Sequence, residues 1–270
     1  MRARTLRLLS ACVVVIAAAA AAYTAVSMAG SGGLANVPTA NTRSQGYAPA
    51  SVLSPELQQV VVAQGSTKLE NPMDNVSYYG YDDDVKNSAG QPVMVASAAT
   101  SNKEAHKTEP DKNTYLVFDA GLTGADSGYN YGTHAFFQGH EGTATGVPAA
   151  ITRINLDADA AHRVTLLATK DDTGAAIRTI DGSTWDPWAK RLLFTTESRT
   201  APTYSATPGY PSEVHDVSGA LGRGGYEGIQ DDSDGNIWIV EDIGGAFKGT
   251  TKSKVPNSFV YRETRSRRRT

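Results

Sequence analysis

The sequence holds one cysteine, Cys12, among 270 residues. Disulfide frameworks and cysteine-rich zinc sites are therefore excluded. Charged residues make up 20% and aromatics 8%, while 40% of the chain is hydrophobic. That balance excludes a disordered tail and a polytopic membrane protein. No acidic residue precedes Glu56, no His-x-x-x-His or Gly-x-Ser-x-Gly spacing occurs, and the N-terminus has no twin-arginine pair. A helical two-histidine zinc site, a serine nucleophile elbow and a twin-arginine export signal are thereby removed. The formal charge of −3 argues against nucleic acid as a partner.

What is present begins with an export signal. Arg2, Arg4 and Arg7 form a basic region, and Leu8 to Ala22 is an apolar run shorter than a full membrane span. Ser27-Met28-Ala29 before Gly30 suits cleavage. Residues 1–29 are expected to be a Sec-type signal peptide, with a retained single-span anchor as the alternative. Membrane contact is expected only through this segment. Cleavage leaves 22 basic against 28 acidic residues, about −6. The expected location is secreted or cell-envelope. Residues 30–55 are rich in Gly, Ser, Ala, Asn and Pro and read as a flexible leader.

Beyond the leader, short β-type runs recur between glycines and prolines. They are Val60–Val62, Thr114–Phe118, Ala135–Phe137, Ile151–Leu156, Val164–Leu167, Arg191–Thr196, Asn236–Val240 and Ser258–Arg262. Runs of 3–7 residues match usual strand lengths, and no amphipathic helix of 12 or more residues intervenes. An all-β propeller, sandwich or barrel is expected. Two segments look like variants of one unit. Asp181-Gly182 leads to Leu192–Glu197, and Asp234-Gly235 leads to Ile237–Glu241. Each is expected to be an Asp-Gly turn feeding a strand that ends on glutamate. The two glycine pairs lie at the scale of one propeller blade.

Carboxylates stand at the edges of these runs. Glu141, Glu197, Glu227 and Glu241 each adjoin apolar or glycine-rich stretches rather than a charged helix face. Strand-end carboxylates converging on a channel would offer the hard oxygens that Ca²⁺ takes in sets of six to eight. Asp231 to Glu241 superficially matches an EF-hand loop. Gln230 stands at its first position, however, and Ile237–Val240 reads as a strand, so a hairpin turn is expected. Asp82-Asp83-Asp84 reads as an acidic loop, and His140 is notable beside Glu141. Gly222 to Gly228 is glycine-rich without a P-loop lysine, a loop that brings backbone close to a ligand or strand.

These same residues carry a family resemblance. Gln138-Gly139-His140-Glu141, Asp181 to Ser198 with Trp185, Pro187 and Trp188, Tyr226-Glu227-Gly228, Val240-Glu241-Asp242 before Gly244-Gly245, and Ser258 to Arg262 occur in order. Together they resemble the PhoX-type secreted alkaline phosphatases and their relatives, from about Asp74 to Arg262. The resemblance implies a six-bladed β-propeller spanning 56–262 and phosphomonoester hydrolysis at a calcium and iron cluster. It implies metal ligation by Glu141, Glu197 and Glu227, with Glu241 and Asp242 as further ligands. A small phosphorylated substrate is the implied partner. Arg223, in its glycine-rich setting, is the expected phosphate-positioning cation.

Thr196 stands where the family has its iron-binding cysteine, and Ser198 where it has a second glutamate. A hydroxyl is a poor substitute for thiolate, so calcium alone is expected. Some 210 residues are room for about four blades, so an incomplete propeller is expected, with loss of activity as its consequence. The basic run 263–270 reads as a solvated or frameshifted tail. The rival reading is a non-catalytic secreted propeller acting in ligand binding or envelope structure.

Overall fold

The structure is a computed structural model that describes residues 33–34, 54–74, 76–80, 108–142, 148–242, 247–248, 253–254 and 258–265. Nearly all of the expected signal peptide and leader, and the Asp82-Asp83-Asp84 run, lie outside the described residues. No helix among the described residues is long and apolar enough to cross a membrane. The chain divides into two units, Met1–Val61 and Val62–Thr270. In the first, residues 54–61 are turn and irregular backbone, and Val60 and Val61 are exposed rather than in a strand.

The second unit is built from antiparallel sheets, as the strand-and-turn pattern led one to expect. A hairpin of β1 (Lys68–Met73) and β2 (Val76–Tyr78) comes first. A four-stranded meander follows, of β3 (Glu109–Val117), β4 (His134–Glu141), β5 (Ala150–Asn155) and β6 (Val164–Ala168). The next meander holds β7 (Ile180–Asp186), β8 (Arg191–Thr196), β9 (Tyr204–Ala206) and β10 (Val214–Asp216). A helical turn, α1 (Ser218–Leu221), leads to a three-stranded sheet. Its members are β11 (Tyr226–Asp231), β12 (Ile237–Glu241) and, at the far edge, β15 (Val260–Glu263). Between β12 and β15 lies the short hairpin of β13 (Phe247–Lys248) and β14 (Ser253–Lys254).

The first strand of each large sheet, β3, β7 and β11, packs against the first strand of the next. That is the arrangement of propeller blades, and the fold is all-β of the propeller type. Among the described residues it amounts to two four-stranded blades and one three-stranded blade, not a six-bladed ring.

Apolar residues explain the stacking. Strand side chains alternate between faces. On β8, Leu192 and Phe194 face the β3–β6 sheet, where they join Phe137, Ile151 and Leu167 in a cluster that also takes in Ile180 of β7. Leu193 faces the other way and packs with Tyr226, Ile229, Ile237 and Ile239. Sheet β7–β10 is therefore covered on both faces, which is why Arg191–Thr196 reads as a continuous apolar run. Burying a Phe or Leu of this kind contributes about 1.5–3 kcal/mol. A third cluster joins Leu69 and Val76 to Ile154, Val164 and Leu166. There Asn71 closes the edge of β6, since its amide donates to the Leu166 carbonyl at 2.9 Å and accepts from the Leu166 N–H at 2.8 Å. An open strand edge is thereby capped.

Two expectations change here. Asp181-Gly182 is not a turn but lies inside β7. Tyr226-Glu227-Gly228 is not a loop but the start of β11. Only Asp234-Gly235 makes the expected turn, with Asp232 N–H bonded to the Asn236 carbonyl at 3.0 Å and Gly235 at φ 84°. The repeat is real in kind but shifted: Asp181-Gly182 corresponds to Glu227-Gly228.

Candidate metal centre

Antiparallel pairing places the beginning of each first strand opposite the end of the second. Glu109 pairs with Glu141, Ile180 with Thr196, and Tyr226 with Glu241. Each blade thus brings acids from two strands to one rim. Next to that rim the register slips once in every first strand, between Pro110 and Asn113, between Ile180 and Ser183, and between Tyr226 and Gly228. The slipped residues include Asp111, Asp181 and Glu227. A bulge bends its strand and re-aims side chains. Here three bulges at equivalent positions each carry a carboxylate.

Close approach of the backbones depends on glycine. A Cβ on Gly182 would sit 2.5 Å from the Glu227 carbonyl oxygen, and one on Gly139 would sit 2.2 Å from Ile180 Cγ2. Thr195 links the same backbones. Its hydroxyl accepts from Gly182 N–H at 3.0 Å and donates to the Glu227 carbonyl at 3.4 Å.

Asp181, Glu197 and Glu227 offer carboxylate oxygens that all lie within 4.8 Å of one another. Asp181 is only 6% exposed, and its Oδ2 is buried without a hydrogen-bond partner. An anionic oxygen in that state needs a proton or a cation. Burial, with Glu227 next to it, pushes the Asp181 carboxyl up to about 8. Burial and then Glu197 push Glu141 up to about 8 as well. Asp111, raised to about 6 by burial and the charges of Glu109, Glu197 and Glu227, has a second orphaned oxygen, Oδ2. Like charges in a dry site disfavour ionisation, and a cation reverses that balance.

The donors are all carboxylate oxygens, the hard type of ligand. The Thr196 hydroxyl is 3% exposed and donates to the Pro202 carbonyl at 3.0 Å.

The structure therefore gathers Glu197 and Glu227, with Glu141 beside Glu197. It adds Asp181, which the sequence reading took for part of a turn, and Asp111, which it did not name. Glu241 turns towards β15, accepting from the Tyr261 hydroxyl at 2.7 Å and the Phe259 N–H at 3.4 Å. Asp242 is exposed and its N–H bonds the Gly225 carbonyl. Arg223 lies outside the cluster. It is exposed, pairs with Asp216 at 2.6 Å and donates to the Thr200 carbonyl at 2.8 Å. His140 is fully buried, bonded to Thr152 at 2.7 Å, and held neutral by desolvation that lowers it to about 3. Its ring packs edge-on against Tyr79 at 5.0 Å, and its Nδ1 is buried without a hydrogen-bond partner. Asp232 closes the β11–β12 turn through Asp234 N–H, Asn236 and Trp238, so no EF-hand forms. The signal for Asp111 and Asp181 was available as acids beside glycine or proline in a strand start, but the bulge that aims them is not written in the residue pattern.

No family model matches the chain, and no curated protein matches it. A solved structure of a luciferin-regenerating enzyme is similar over 48% of this chain and 39% of that protein, at 11% identity and a TM-score of 0.27. The chain thus spans well under half of that protein's length.

Proposed function

We propose that this protein is an exported, calcium-dependent propeller whose carboxylate rim acts on small phosphoric monoesters. One observation carries the reading: two adjacent blades deliver Asp181, Glu197 and Glu227 to one point, and the buried Asp181 Oδ2 has no hydrogen-bond partner there. Asp181, Glu197 and Glu227 would hold the ion. When bound, calcium supplies charge stabilisation for a phosphoryl group and orients the attacking oxygen. The chain's own residues set the geometry. Glu141 stands beside Glu197, and burial together with the charge of that neighbour raises its carboxyl. Thr195 and Gly182 hold the β7 and β11 bulges together, and so hold Asp181 and Glu227 in register. The basic Arg2–Arg7 region and the Leu8–Ala22 run support export.

The second reading, a calcium-stabilised ligand-binding propeller without turnover, draws on Thr196, whose hydroxyl is engaged by Pro202 where the phosphatase family has a metal-binding thiolate.

The deciding experiment measures p-nitrophenyl phosphate hydrolysis and thermal unfolding in EDTA, in Ca²⁺, and in Ca²⁺ with iron. Calcium at 100 times its Kd stabilises the fold by about 2.7 kcal/mol. Turnover that needs calcium and is lost in Glu197→Ala and Glu227→Ala supports the hydrolase. A calcium-dependent midpoint without turnover supports the binding reading. No response to calcium in either assay removes both.

A further inference from the structure

A groove of about 290 Å³ runs along the first strands, and Lys112, which follows the rim residue Asp111 and feels the charge of Asp181, stands in its wall. The polar part of that wall is made of Lys112, Asn113 and Thr114 from β3, Ser183 and Thr184 from β7, and Gln230 from β11. Lys112 is the one cation among these residues. It leaves the β3 bulge directly after Asp111, and its ammonium reaches β11, where it donates to the Ile229 carbonyl at 2.7 Å. An ammonium has three donors. One is engaged here, and no carboxylate lies within ion-pair distance of Lys112 among the described residues. The Lys112 backbone is anchored too, since its carbonyl accepts from the Ser183 hydroxyl at 3.0 Å, and Ser183 in turn bonds Thr114 at 2.9 Å. A lysine with a secured stem, two unused donors and a position between an anion-rich rim and a polar groove is placed to meet an anion that the rim alone would repel.

The remaining lining groups are the amides and hydroxyls of Asn113, Thr114, Ser183, Thr184 and Gln230, together with Leu116 and the rings of Tyr115 and Trp185, against which the apolar face of a sugar or polyol can pack. The amides and hydroxyls donate and accept without charge and match alcohol oxygens. The volume is at the small end of ligand sites, which run to about 300–1,000 Å³. We infer that Lys112 holds the anionic group of the ligand beside the carboxylate rim, and that the groove takes its polyhydroxylated remainder, so that the ligand class is a compact polyol or sugar phosphate. This rests on the calcium-hydrolase reading for the role of the rim, but the contact between Lys112 and the anion is separable from it.

The test is calorimetric titration of the full chain, in Ca²⁺ and in EDTA, with inorganic phosphate, glycerol phosphate and glycerol. In calcium, both phosphates are expected to bind and glycerol alone not to. Lys112→Met should weaken both phosphates at least tenfold while the calcium-dependent unfolding midpoint stays in place, and Lys112→Arg should restore most of the affinity. Asn113→Ala and Gln230→Ala should weaken glycerol phosphate and leave inorganic phosphate unchanged. Phosphate affinity that is unaltered in Lys112→Met overturns the assignment, as does calcium binding with no phosphate binding. Phosphate binding in EDTA that is lost in Lys112→Met, in a chain that ignores calcium, upholds the lysine contact and overturns the calcium reading instead.

Discussion

Strands β7 and β11 carry acids at both ends, and the two ends treat them differently. At the rim, Asp181 and Glu227 face each other and Glu197. At the opposite end, Asp186 and Asp231 face Arg265, whose Nη2 bonds Asp186 Oδ2 at 2.5 Å and lies 3.5 Å from Asp231 Oδ1. Both of these aspartate side chains are about 5% exposed. Arg265 also donates to the Gly235 carbonyl at 3.0 Å and lies 5.3 Å over the Trp188 ring. Asp186 in turn accepts from Trp188 and Ala189 N–H. One end has a cation and turn amides against Asp186 and a cation 3.5 Å from Asp231, whose oxygens still accept no close hydrogen bond; at the other end no cation lies within ion-pair distance of the acids among the described residues. Carboxylates of the same strands are thus paired with a cation at one end and crowd one another at the other. Groups whose ionisation is opposed in a cleft mark functional candidates, whereas paired buried charges mark structure.

The largest effect expected is at the paired end. Arg265→Ala strands two buried carboxylates, and breaking a buried pair costs about 3–5 kcal/mol. The guanidinium is 36% exposed, so the lower part of that range applies. The thermal midpoint should fall by about 10 °C. Adding Asp231→Asn to that variant should recover part of the loss. An Arg265→Ala protein as stable as its parent would erase the contrast between the ends. Of the segment read as a solvated or frameshifted tail, Glu263 lies in β15 and Arg265 pairs with Asp186, while residues 266–270 lie outside the described residues.

The rim should respond with the opposite sign. Asp181→Asn removes a buried charge that nothing balances without metal, so the EDTA-treated protein should gain about 1 kcal/mol, a midpoint rise of about 2–4 °C at pH 8. The same change should abolish the calcium-dependent rise. A variant that is less stable in EDTA and still responds to calcium would show that Asp181 is a structural acid after all.

A pH series sharpens the comparison without mutation. The native carboxyls of Asp181 and Glu141 are raised to about 8, and that of Asp111 to about 6, above ordinary values near 4. Between pH 4 and 8 the native state therefore binds more protons than the unfolded state. Stability follows the difference in bound protons, unfolded minus native, so it falls as pH rises through that window and levels above it. Asp231, raised to about 6 by burial and Asp186, adds a smaller decline at the other end. Asp157 and Asp232, lowered to about 2, act below the window. Metal replaces the rim protons, so calcium should flatten the slope above pH 6. A stability that climbs from pH 5 to 8 in EDTA would contradict the uncompensated rim.

What could be read beforehand follows from which interactions are local. Arg191–Thr196 and Ile151–Leu156 announced strands because their sheets are covered on both faces. Ile180–Asp186 did not, since Asp-Gly inside a strand imitates a turn and only the packing of Gly182 on Glu227 explains it. The glutamates ending β4 and β8 were visible as strand ends. Asp111 and Lys112 were not, because a bulge is a property of two strands in register, and one strand's residues do not state it. Val60–Val62 shows the converse: three β-branched residues with no partner strand remain irregular.

The smallest effect is expected at Arg223, where the glycine-rich setting invited a role in holding phosphate. Its guanidinium is 42% exposed and engaged by Asp216, which is itself 33% exposed. An exposed pair of this kind contributes about 0–1 kcal/mol. Arg223→Ala should therefore shift the unfolding midpoint by no more than about 2–4 °C and leave both calcium and phosphate affinity unchanged. Placed beside Lys112→Met, it separates two basic residues that composition alone makes equivalent. One stands in the groove at the rim, and the other is held by an acid and a carbonyl away from it. If Arg223→Ala weakens phosphate binding and Lys112→Met does not, the anion is held at the β10–α1 side of the blade, and the rim acids and their groove do not form a single site.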